Sequence, residues 1–249
     1  MTDVAGSLWE RIVSGFSLSP SPQVTAAELL IVIALATVLS LPRASWRYFG
    51  LLATVTHELG HAFAALMTGQ RLGGIRLSLD HSGTTTTYSR GHLPAVWSTF
   101  WGYPVPGVVG AAMVWSGFNG WGPAAMSVGT LILLGSFLFI RNAVGLLITA
   151  AAVLGSALLV LFVPPEFTGH AVIALGLALL VAAVRDLAKL ANVHLRRRDR
   201  LPTSDAHLLY RATSVPSVVW ILLFAGVVAG SWWLAWQPMA QVLMAGMTT

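Results

Sequence analysis

Seven runs of this chain are apolar over nearly the length a helix needs to cross a bilayer, and that limits what the remainder can build. The hydrocarbon core of a membrane is about 30 Å thick, which roughly 20 helical residues span. The runs cover residues 24–41, 48–68, 97–116, 123–140, 143–163, 169–190 and 216–236. Only 9% of the 249 residues are charged and 56% are hydrophobic, whereas soluble domains carry about 25% charged residues. That is too little polar cover for a water-facing surface. The expected product is an all-α polytopic membrane protein of six to seven transmembrane helices. The run 97–116 is the least regular, because Gly102, Pro104, Pro106 and Gly107 predict a kink or a re-entrant turn there. The absence of cysteine excludes a disulfide scaffold and a thiolate metal site.

The runs define a single transmembrane domain over 24–236, flanked by tails at 1–23 and 237–249. Residues 1–23 lack the cationic start, apolar middle and cleavage site of a signal peptide, with at most an amphipathic turn around 8–16. With alternating spans, only Arg43 and Arg47 of the 14 Lys/Arg fall on the outer side and Arg185 lies within a span. The positive-inside rule therefore predicts a cytoplasmic N-terminus. The basic loop 191–215 reads as a juxtamembrane cluster facing anionic lipid. No aromatics interleave its arginines, so nucleic acid is not an expected partner. Residues 73–90 alternate apolar and polar positions around Asp80-His81-Ser82-Gly83 and end in a β-branched run. They predict a small membrane-associated β-hairpin whose edge could accept an extended peptide.

The helix expected over 48–68 contains Thr56-His57-Glu58-Leu59-Gly60-His61. Histidines at i and i+4 share one helix face and can hold one divalent metal, with Glu58 placed as general base for an activated water. Ionisable groups inside an apolar helix are costly unless paired or metal-bound, which makes these three functional candidates. Zinc is the expected cofactor, since it lowers the pKa of water to roughly 7.

The stretch 56–68 and the glycine-bounded strands at 73–88 resemble the site-2-protease type of membrane metallopeptidases, and more narrowly its compact bacterial M50B-like branch. Arg141-Asn142, Thr203-Ser204-Asp205-Ala206 and the segment 213–220 are similar to elements of that branch. The resemblance implies a zinc metalloendopeptidase of a bacterial plasma membrane that cuts peptide or membrane-protein substrates within or near their transmembrane segments. One departure stands out: the Asp-Gly that follows an Asn-x-x-Pro stretch in the wider family is absent in that form.

A catalytic zinc needs a third protein ligand. Setting aside acids in the tail, the hairpin turn, the outer side and the arginine run, together with Glu28 near the start of the first span, external His170 and the weaker loop histidines His81, His92, His194 and His207, leaves Asp186 and Asp205. Depth favours Asp186, near the inner end of its span, where an ion pair with Arg185 or Lys189 is the competing role. Similarity to the family segment favours Asp205, where a helix N-cap is the competing role. Both stay open on the sequence. Asn142 is a candidate to bind a substrate backbone or the oxyanion. A non-proteolytic metal-binding regulator or transporter-like bundle is the alternative function. The oligomeric state has no sequence signal.

Overall fold

The computed structural model describes residues 4–17, 22 and 24–246. Its elements are α1 (Val4–Ser14), α2 (Ala26–Ser40), α3 (Arg43–Met67), β1 (Arg71–Leu77), β2 (Gly83–Tyr88), α4 (His92–Phe100), α5 (Pro104–Phe118), α6 (Gly122–Ser136), α7 (Ala143–Phe162), α8 (Pro165–Arg196), α9 (Asp205–Thr213) and α10 (Ser217–Gly246). A 3₁₀ turn, Arg198–Thr203, joins α8 to α9. Each apolar run became helix, and the expected hairpin formed.

The spans themselves differ from expectation. Among the described residues, α7, α8 and α10 are long and apolar enough to cross a membrane, with a fourth if α2 and α3 count as one bent span. The helices α2, α5 and α6 have 15 residues each, about 22 Å at 1.5 Å per residue, short of a full crossing. The run 97–116 is broken at Trp101–Tyr103 into α4 and α5. Residues 237–246, expected as tail, continue α10.

The centre is α8, and the reason is steric. Gly110 and Gly117 of α5 face Gly176 and Gly169 of α8 so closely that a Cβ on Gly110 would lie 2.6 Å from the Gly176 carbonyl oxygen. A Cβ on Gly117 would lie 2.7 Å from the Gly169 oxygen. The matched pairs run in opposite order, so the two helices are antiparallel. Small residues at such a seam let backbones meet and dispersion forces accumulate where water gives no hydrophobic push. Ala178, Leu180 and Ala182 of α8 are fully buried in the same core.

Two contacts orient α2 on α8. Glu28 Oε2 lies 3.7 Å from His170 Nε2 at one end. At the other, Arg185 donates to the Ser40 and Leu41 carbonyls, at 2.6 and 2.9 Å. Pro42 then stops the helix, because it has no N–H and its ring collides with the preceding turn. Across that break α3 leaves at 87°. Hydropathy alone predicts successive opposite crossings over 24–41 and 48–68. Instead α3 lies across the bundle, and Arg43 and Arg47 join the other basic residues at the Arg185 end. Trp46 fixes the turn by lying 4.0 Å beneath the Arg185 guanidinium.

The two ends of the bundle are consequently unlike. A Cβ on Gly246 would lie 2.8 Å from the Ala26 side chain, so α10 ends beside the start of α2 and the Glu28–His170 pair. Helix α1 lies there too, with Gly15 against Ser127 and Pro123 of α6. Of the 14 Lys/Arg, Arg11 alone belongs to an element at this end.

Candidate metal centre

His57 and His61 project from one face of α3, as their spacing requires, and the break between α4 and α5 closes over them. A Cβ on Gly102 would lie 2.3 Å from His61 Nε2 and 2.7 Å from His57 Nε2, so only glycine fits. The sequence marked Gly102 as a helix breaker; its contact with the imidazoles depends on tertiary structure. His61 Nδ1 sits 2.8 Å from the Ser98 carbonyl. That oxygen can only accept, so Nδ1 carries the proton and Nε2 presents its lone pair. His57 meets the Tyr103 ring edge-on at 4.8 Å, and Tyr103 stacks on Phe224.

Asp205 arrives from the far side of the chain. Ser204 caps α9, its hydroxyl accepting from the His207 N–H at 3.2 Å. Buried Ala206 and Leu209 seat the helix against Leu190 and Phe224. The cap role open to Asp205 on sequence is thus filled by Ser204, and the aspartate is free. Its Oδ2 lies 3.3 Å from His57 Nε2 and 3.2 Å from His61 Nε2, and the two Nε2 atoms are 3.1 Å apart.

Oδ2 is buried and receives no hydrogen bond. Donor atoms brought this close around a buried carboxylate oxygen are satisfied by a cation shared among them. Among the described residues, these three are the group whose ligand atoms converge for a metal. Asp186 does not join them: it lines the same cavity without belonging to the cluster. The fold-back through the 3₁₀ turn carries α9, and Asp205 with it, onto the histidines.

Glu58 is 4% exposed. Thr85 of β2 donates to its Oε2 at 2.6 Å, and Gly83 passes so near that a Cβ would lie 2.5 Å from Oε1. The β-branched run 84–88 predicts a strand but carries no sign of this anchoring, which joins residues 27 apart. Asn142 was expected to meet substrate; instead its amide donates to the Leu77 carbonyl at 2.8 Å and accepts from the Leu77 N–H at 3.1 Å. It extends the sheet, and both functions of its amide are used.

A cavity of about 650 Å³ opens over these groups. Its floor is Thr54, His57, Glu58 and His61 of α3; one wall is β2 from Gly83 to Thr87, and the other is Asp186, Lys189 and Val193 of α8 with Asp205.

An imidazole pair and a carboxylate converging beside a second carboxylate, inside an apolar helical bundle, define a membrane protein of metallopeptidase type. Residues 30–235 match the family model described as peptidase M50B-like, and the chain belongs to that family. No curated protein and no solved structure matches the chain.

Proposed function

We propose that this protein is a zinc-dependent endopeptidase that cleaves substrates in or near their transmembrane segments, with His57, His61 and Asp205 as metal ligands and Glu58 as the catalytic acid–base. The observation that carries the reading is the set of three mutually close donor atoms beside Glu58. Donors arranged tetrahedrally about 2.0–2.1 Å from zinc lie about 3.3 Å from one another, close to the separations found here. Zinc bound there supplies Lewis acidity, making water a nucleophile at neutral pH and polarising the scissile carbonyl.

Glu58 receives a proton from the attacking water and returns it to the amine nitrogen as the peptide bond breaks. Thr85 pins one carboxylate oxygen, leaving Oε1 to exchange the proton. A transmembrane helix hides its carbonyls in internal hydrogen bonds, so a substrate must first be extended. The sheet supports that step. The free side of β1 is occupied, Ile75 N–H donating to the Phe139 carbonyl at 2.7 Å and Arg141 N–H to the Ile75 carbonyl at 2.8 Å. The outer edge of β2 has no strand partner among the described residues, and β2 forms a cavity wall. An unwound peptide adding there is held by main-chain hydrogen bonds beside Glu58.

The site belongs at a membrane boundary: Asp186 lies about 31 Å along α8 from Pro165, at 1.5 Å per residue. The concentration of Lys/Arg at that end makes it the cytoplasmic side. The start of α2 and the end of α10 then lie on the opposite side, which reverses the orientation expected from the alternating spans. The transporter-like alternative requires polar groups across the bundle. No ionisable residue occurs in α5, α6, α7 or α10, or between His170 and Arg185 of α8.

The test is Glu58→Gln in the purified protein with a panel of transmembrane substrates. Cleavage falls by about 100-fold or more, in the range for loss of a general base, while one zinc per chain remains. Undiminished cleavage by this variant would refute the assignment.

A further inference from the structure

Asp186 is a carboxylate in the wall of the cavity that the reaction above leaves unused. Among the described residues it makes no ion pair and no hydrogen bond through its side chain. Four basic groups surround it, His57, His81, Arg185 and Lys189; His57 meets Asp205 and His61, and His81 meets the Arg47 carbonyl at 3.3 Å. Arg185 is committed to the Ser40 and Leu41 carbonyls and to the Trp46 ring. Lys189, one turn further along α8, is exposed and forms no ion pair. Across the cavity stand Gly83, Thr84, Thr85 and Thr87 of β2, with no basic side chain among them. An acid with an open coordination sphere facing a peptide-sized cavity invites a donor from outside the chain.

The depth of the site says what that donor is. Transmembrane segments carry Lys and Arg where they leave the membrane on the cytoplasmic side. The basic end of this bundle is where Asp186 lies. A substrate segment drawn onto the β2 edge therefore brings its juxtamembrane basic residues to the level of Asp186.

We propose that Asp186 is a specificity-determining residue that pairs with a Lys or Arg flanking the cytoplasmic end of the substrate's transmembrane segment. The inference rests on the peptidase reading for the path of the substrate. It needs no contribution from Asp186 to metal binding or to proton transfer. A charge-assisted hydrogen bond from an ammonium or guanidinium satisfies the carboxylate and sets how far the segment advances.

The experiment measures binding without turnover. The Glu58→Gln protein in nanodiscs is titrated with transmembrane peptides identical except for Lys, Gln or Glu at the juxtamembrane position. The Lys peptide binds about 10–100-fold tighter than the Gln peptide, the span expected for a hydrogen bond to a charged group. Adding Asp186→Asn abolishes that preference, and Asp186→Lys reverses it toward the Glu peptide. A Lys preference that survives Asp186→Asn overturns the proposal. So does equal weakening of all peptides, or binding of none. Loss of zinc from the Asp186→Asn protein overturns it as well, because Asp186 would then belong to the ligand set. Failure of the peptidase reading has its own signature: the unsubstituted protein cleaves none of the peptides while the charge preference persists.

Discussion

Each end of the bundle places an acid near a helix start beside histidine, yet only one of the two has the form of a chemical site. At the far end Glu28 Oε2 stands 3.7 Å from His170, but the same oxygen already accepts from the Thr25 N–H at 2.8 Å and the Thr25 hydroxyl at 3.0 Å. It belongs to a capping box that starts α2, and its side chain is 41% exposed. At the near end Asp205 is 14% exposed and Ser204 does the capping, so its inner oxygen meets two imidazoles with no donor attached. The difference lies in which residue satisfies the helix start. A carboxylate that caps has spent its lone pairs on backbone N–H groups. One relieved of that duty, and kept from water, is available to a cation.

The largest expected effect follows from removing that availability. Asp205→Asn keeps size and shape but replaces an anionic donor with a neutral amide. Zinc affinity, measured by competition with a chromophoric chelator, falls by more than about 100-fold, beyond the range for loss of an outer-shell partner. Retention of stoichiometric, tightly held metal in this variant would remove Asp205 from the ligand set and erase the contrast between the two ends.

Much of the near end was readable from residue spacing, and the reasons for the gaps are specific. His57, Glu58 and His61 are set by the period of one helix, which tertiary structure does not alter. Asp186 and Asp205 could not be separated, because they sit on different elements and the fold-back of α9 depends on Ala206 and Leu209 burying against Phe224. The hairpin was visible in its alternation, while the grip of Thr85 on Glu58 joins residues 27 apart in sequence. Hydropathy found the helices but misjudged their course: α3 is apolar enough to look like a crossing, and only the stop at Pro42 with the Arg185 anchor turns it aside. Arg43 and Arg47, on the outer side in that scheme, lie with the Arg185 end of the bundle for that reason.

Two smaller perturbations sharpen the comparison. Ser204→Ala removes the cap of α9 and costs about 1 kcal/mol, typical of a lost N-cap. Because α9 starts at Asp205, fraying also loosens a metal ligand, and zinc affinity drops roughly 10-fold, the lower range for an outer-shell change. Thermal melts with and without zinc separate the two contributions: the gap between them narrows relative to the unsubstituted protein. Glu28→Ala is the counterpart at the other end and has the smallest effect. It removes the reciprocal half of a capping box on an exposed surface, so the melting midpoint falls slightly and by the same amount with or without zinc. Metal content stays at one per chain. A zinc-dependent shift in this variant would mean that the two ends communicate through α2 and α8, and that the Glu28–His170 pair has a role beyond starting a helix.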